Sequence, residues 1–124
     1  VGNVHAIAHQ LGARYGIPHG QANALALPHV LKACLSEAET ALAELAVVTN
    51  VSDAASPAAR AQAFVEAVQD LIAKVGIAET DPRIQPADWT VLAHAAMDES
   101  DGYVSPRLLT KPEIMDTLER ITAR

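Results

Sequence analysis

Residues 56–76 read SPAARAQAFVEAVQDLIAKVG. Ser56 suits an N-cap, because its hydroxyl can accept from an N–H that the first helical turn leaves free. Pro57 follows at the one helical position where a missing N–H costs nothing. Gly76 comes just after Lys74 and supplies a stop. Between them Phe64, Val65, Val68, Leu71, Ile72 and Val75 recur at three- and four-residue steps, which makes one apolar stripe. The segment predicts an amphipathic helix, and the rest of the chain follows the same grammar.

Toward the C-terminus, Thr110 with Glu113 forms a capping box ahead of Ile114, Leu118 and Ile121. A further helix is expected from about Pro86 to Met97, with loops at Gly76–Gln85 and Asp98–Pro106. Toward the N-terminus, Ser36 with Glu39 reads as another capping box, followed by Leu42, Leu45, Ala46 and Thr49 and a turn over Asn50–Ala55. Asn3 is expected to cap a helix ending at Leu11, with Gly12 as its stop. A connection from Gly12 to Gly20 then leads into a helix over Gly20–Leu35, kinked at Pro28 or starting properly near it. No segment alternates apolar and polar residues long enough to be a strand. The expected fold is all-α: one domain over 1–124, an antiparallel bundle of about six helices, with segment 1–35 set apart from the remaining bundle 36–124.

Composition agrees. The chain has 124 residues, 50% hydrophobic but only 3% aromatic, and 25 are alanine, the best helix former. The net charge of −6 argues against a nucleic-acid partner, which requires a basic face. A lone cysteine, Cys34, excludes an intrachain disulfide and a multi-cysteine zinc site, and fits a reducing compartment. The longest charge-free run, Tyr15–Leu31, has 17 residues and holds Pro18 and Pro28, short of the roughly 20 apolar residues that span a membrane. No signal-peptide pattern is visible, so a cytoplasmic location is expected. The chain lacks an initiator Met and opens inside a helix, which suggests a piece of a longer protein. No Gly-rich phosphate-binding motif occurs, so the chain has no nucleotide-cradling loop of its own.

The chemistry concentrates at the start. The first 36 residues hold Arg14 and Lys32 but no acid, and four of the five histidines lie within the first 29. His5 and His9 are one helical turn apart and face the same way. His19 follows a glycine-containing bend that can fold it back onto that face. Converging imidazoles can hold zinc, iron, copper or nickel. Spacing alone leaves this reading level with ordinary hydrogen-bonded histidines on a half-buried face. A metalloprotease is excluded, because Ala6 stands where its glutamate must follow the first histidine. His29 and His94 read as structural or surface residues, Phe64 and Trp89 as core. Gly12 and Gly20 read as allowing the turn and close helix approach, and Asn23 as bonding the turn backbone.

The run VHAIAHQLGARYGIPHGQANALALPHV (4–30) resembles the signature of the iron-containing (group III) alcohol dehydrogenases. The matching positions are His5, His9, Gly12, Tyr15, Pro18-His19-Gly20, Asn23-Ala24 and Leu27-Pro28. Leu92-Ala93, Asp98 and Ser105-Pro106-Arg107 resemble the family's C-terminal end more loosely. The resemblance implies the later part of a dehydroquinate-synthase-like helical domain. The dinucleotide-binding domain and the first two metal ligands, an Asp and a His, would then lie outside this chain. It also implies that His5 and His19 are metal ligands, with Fe2+ ahead of Zn2+. His9 would be a catalytic histidine beside the metal, and Asp101 would stand at a substrate-pocket position where relatives often have Cys. Ser105 departs from the usual Asn before Pro-Arg. NAD or NADP, a small alcohol or aldehyde substrate and a homo-oligomer are implied for the intact enzyme, with the isolated chain inactive. Two alternatives stand beside this. One is a self-associating helical bundle with a structural or partner-binding role, suggested by the acid-free first third. The other is a maleylacetate-reductase-like member of the same family, which the Pro18-His19-Gly20 and Asn23-Ala24 pairing disfavours.

Overall fold

The computed structural model describes residues 2–124; Val1, the first residue of the expected domain, lies outside the described residues. Among the described residues six helices follow one another: α1 (Asn3–Tyr15), α2 (His19–Ala33), α3 (Leu35–Val48), α4 (Pro57–Lys74), α5 (Trp89–Ser100) and α6 (Lys111–Ile121), with a 3₁₀ turn at Pro86–Asp88. Among the described residues there is no strand, only an isolated parallel bridge between Asp81 and Thr122. None of the helices is long and apolar enough to cross a membrane.

Two expected starts form as read. The Ser56 hydroxyl accepts from the Ala59 N–H at 3.3 Å, and Gly76 takes φ +84° past the end of α4. Thr110 and Glu113 make both bonds of a capping box, 3.4 and 3.0 Å long.

Other boundaries move, each for a physical reason. Gly12 does not stop α1. The helix runs on through Tyr15 and ends at Gly16, which adopts φ +69° and donates its N–H to the Gly12 carbonyl at 3.0 Å. A left-handed residue is a common way to close a helix, and of the two glycines only Gly16 takes that conformation. Gly12 and Gly20 are therefore ordinary helical positions. Gly2 precedes α1 as its cap; Asn3 is already helical, and its side chain serves elsewhere. The Ser36–Glu39 box does not form. The Cys34 N–H stays bonded to Val30 and the Ala38 N–H to Cys34, at 3.0 and 2.9 Å, so α3 begins at Leu35 and Ser36 has no helix start to cap. α2 starts one residue early, at His19, and continues through Pro28. α5 extends to Ser100, beyond the expected end at Met97.

The main core lies where α1, α2, α5 and α6 meet, around Ile7, Leu11, Leu118 and Ile121, with Ile84 from the connecting loop. α3 and α4 pack on each other and enclose a smaller cluster of Leu42, Ala61 and Val65, with Phe64 half-buried beside it. The expected stripe on α4 is only half covered: Leu71 and Val75 are 61% and 63% exposed. Trp89 packs against the main core and donates its indole N–H to Thr122 Oγ1 at 3.0 Å.

The loop 101–110 is tied down by Asn3, which is 5% exposed. Its amide donates to Ser105 Oγ at 3.0 Å and to the Arg107 carbonyl at 2.7 Å, and its oxygen accepts from the Leu109 N–H at 3.1 Å. Arg107 continues the stitch. It pairs with Glu113 at 2.6 and 2.7 Å, with Glu37 at 2.8 Å, and donates to the Ala33 carbonyl at 2.6 Å. The guanidinium holds the Glu113 carboxyl down at about 2.

Candidate metal centre

α1 fixes His5 and His9 one turn apart, and the three-residue bend Gly16-Ile17-Pro18 returns the chain so that His19 opens α2 beside them. Buried Ile17 anchors the bend. The three rings meet: centres lie 5.5 Å apart for His5–His19, 5.7 Å for His5–His9 and 5.7 Å for His9–His19. Two imidazoles that share an ion at about 2.1 Å per metal–nitrogen bond place their ring centres roughly 5 Å apart at a tetrahedral angle. The His5–His19 spacing lies near that value, and the two spacings to His9 are scarcely longer.

The donor chemistry fits as well. Burial, the largest cause, lowers the His5 pKa, which favours the neutral form of the ring. His19 is exposed. Asn23, one turn further along α2, donates to the His19 carbonyl at 2.8 Å, and its amide nitrogen lies 3.2 Å from His19 Nε2. Its own Oδ1 is buried without a partner. An ion on His19 Nε2 requires that amide to turn aside. Among the described residues, no group of three or more His, Cys, Asp or Glu is disposed to hold a metal ion. The described residues thus bring imidazoles together without forming a closed coordination shell.

His9 is engaged differently. Its Nδ1 lies 2.7 Å from Glu99 Oε2 on α5. The same carboxylate accepts from Gln10 Nε2 at 3.2 Å and from the Tyr103 hydroxyl at 3.2 Å. Burial and the Glu99 charge raise the Tyr103 pKa, so its phenol remains a donor. Sequence reading missed Glu99, Gln10 and Tyr103. Glu99 falls in what reads as a loop, and only the packing of α5 on α1 brings it to His9.

His5, His19 and Asn23 also line an open groove of about 700 Å³, walled by Val4, Leu27, Val30, Leu31 and Val104. Asp101 does not line it; it is an exposed residue capping α5, its N–H bonded to the Met97 carbonyl at 3.2 Å. His29 is half-buried in a separate cleft with Lys32, Asp116 and Arg120, and His94 is exposed.

Residues 1–122 match the profile described as Fe-containing alcohol dehydrogenase family, C-terminal. The chain belongs to this family. It is 34% identical over 119 residues to a 1,3-propanediol dehydrogenase of Citrobacter freundii, covering 94% of this chain and 31% of that protein. It is 36% identical over 119 residues to a lactaldehyde reductase of Escherichia coli K12, with the same two coverages, 94% and 31%. The crystal structure of a 1,3-propanediol oxidoreductase superposes with a TM-score of 0.90 at 30% identity, over 98% of this chain and 32% of that one. This member of the Fe-containing alcohol dehydrogenase family therefore spans about a third of the length of the relatives it matches, and its all-α architecture is that of their C-terminal part.

Proposed function

We propose that this chain forms the metal-binding wall of an NAD(P)-dependent alcohol dehydrogenase that interconverts a small alcohol with an aldehyde or ketone. The observation that carries the reading is the 5.5 Å approach of His5 and His19 across the Gly16–Pro18 bend. In this reading the two imidazoles are ligands to a divalent cation, iron or zinc, and the remaining ligands come from outside residues 1–124. Bound there, the cation supplies Lewis acidity that lowers the pKa of the substrate hydroxyl.

The chain's own residues do the rest. His5 and His19 hold position because α1 is packed in the core and Ile17 pins the bend. His9, beside them but bonded to Glu99, exchanges a proton with the substrate oxygen. The apolar groove beside His5 and His19 gives one side of the site a largely apolar wall. Residues 1–35 are the ligand segment and 36–124 the bundle that supports it, while NAD or NADP binds a domain outside this chain. The names of the relatives, a propanediol dehydrogenase and a lactaldehyde reductase, support a short, hydroxylated substrate. Apolar side chains left open on α3 and α4, including Val48 and Leu71, favour a homo-oligomer.

Calorimetric titration of the 124-residue chain with Zn2+ tests the metal assignment. His5→Ala and His19→Ala should each weaken binding by at least about tenfold, with His94→Ala unchanged. Equal binding by all four proteins refutes it. The chain alone should show no turnover with NAD(H) or NADP(H) and small alcohols or aldehydes, and robust turnover contradicts the need for a second domain.

A further inference from the structure

We infer that Glu99 is a positioning residue that fixes the tautomer of His9, leaving Nε2 as the basic nitrogen. The role in proton exchange rests on the proposed function above, but the tautomer does not. An ionised carboxylate only accepts hydrogen bonds, so the 2.7 Å contact with Glu99 Oε2 requires the hydrogen on His9 Nδ1. A neutral imidazole carries one hydrogen, and Nε2 then keeps its lone pair.

The carboxylate is not free to swing away. Gln10, adjacent to His9 on α1, holds Oε1 at 3.2 Å while its amide also donates to the Ala6 carbonyl at 3.1 Å. Tyr103, beyond the end of α5, donates to Oε2 at 3.2 Å. Three donors from two parts of the chain thus converge on one carboxylate. An isolated surface ion pair has no such supports and gains little from its geometry. The Glu99 side chain is 27% exposed and that of His9 40%, so the pair lies at the edge of the site, with His9 open toward solvent or substrate. A histidine held this way presents a proton acceptor in a fixed direction, and its imidazolium, once formed, faces a negative charge.

Long-range proton–nitrogen correlation spectra of the histidine-labelled chain read the tautomer directly. At a pH where the rings are neutral, wild-type His9 should show the Nδ1–H pattern. Glu99→Leu should return it to the Nε2–H form that an unrestrained histidine side chain favours. Glu99→Gln keeps the size but offers one oxygen for the three donors His9, Gln10 and Tyr103, and should give a mixture; this variant stands in if Glu99→Leu does not fold. Zn2+ affinity should be unchanged in either variant, because the carboxylate positions His9 and ligates nothing. An Nε2–H tautomer in the wild type, or an undisturbed Nδ1–H signal in a folded Glu99→Leu or Glu99→Gln protein, overturns the inference. So does a loss of zinc affinity of about tenfold or more, which would mark Glu99 as a ligand. Failure of the His5 and His19 titrations would instead remove the metal assignment and leave the Glu99–His9 tautomer standing.

Discussion

Around the histidines, α1, α2, α5 and α6 enclose a continuous core in which Ile7, Leu11, Leu118 and Ile121 are at most 2% exposed. On the other side, α3 and α4 share a small cluster of Leu42, Ala61 and Val65, while Leu45, Val48, Leu71 and Val75 remain open. The contrast does not come from local helix signals. α4 has the clearest punctuation in the sequence, a capping serine and a proline at its first position. α1 has no side-chain cap at all. Capping decides where a helix starts, but neighbours decide how much of its apolar face is covered. The half that carries the three histidines is the half with neighbours on several sides, and that packing holds the rings at their spacing.

The largest test of this contrast is truncation. Leu11→Ala, at a position with 0% exposure, should cost about 3 kcal/mol in urea unfolding, as expected for a buried leucine that leaves a cavity. Leu71→Ala, at 61% exposure, should cost no more than about 0.5 kcal/mol. Equal losses would show that α3–α4 is as well covered as the main core, by another copy for example.

Next in size is the clamp on loop 101–110. Asn3→Ala strips the acceptor from the Leu109 N–H, a contact between buried atoms, and should cost about 2 kcal/mol. In the same protein, amide exchange should accelerate across 101–110 while α4 is unaffected. A loss shared evenly between the two regions would mean that Asn3 is not a local clamp.

The glycines sharpen the comparison within α1 itself. Gly16→Ala places a side chain at φ +69° and should cost about 1 kcal/mol. Gly12→Ala should stabilise by about 0.5–1 kcal/mol, since the position is helical and a Cβ there meets only the Ile17 carbonyl at 3.5 Å. Thermal unfolding distinguishes the two, and the reverse order would return Gly12 to the role of helix stop.

The smallest effect concerns the Arg107 stitch between the two regions, at most about 1 kcal/mol because the ion pairs are partly solvated. The Glu113 carboxyl falls from its ordinary 4.5 to about 2 in the folded state. Its contribution is therefore complete above pH 4.5 and drains away as the pH falls toward 2. The stability gap between wild type and Arg107→Met should be constant above that window and narrow through it. A gap that widens in acid contradicts the ion-pair account.

The elements were legible because their signals are local. Ser56-Pro57, Thr110 with Glu113, and the spacing of Ile114, Leu118 and Ile121 each act within a few residues, and all three form as read. The errors arose where a local signal had two uses. Asn3 is a good capping residue, yet folding places it in reach of three groups over a hundred residues away, and there it is buried. Ser36 and Glu39 spell a capping box, but the helical bonding that runs through Cys34 leaves them nothing to cap. Glu99, which meets His9, lies on α5 where the sequence reads as a loop, and nothing local marks it as a partner of a residue ninety positions away.

By itself the sequence determined the helical class, the helix-start signals at Ser56 and Thr110, and the turn spacing of His5 and His9, because each depends on backbone propensity and periodicity within one helix. That His19 closes on His5, that a carboxylate ninety residues away orients His9, and that one helix pair keeps its apolar stripe half open were decided only by the tertiary structure. Distances between elements depend on how helices pack, and no local pattern encodes which neighbour will be there.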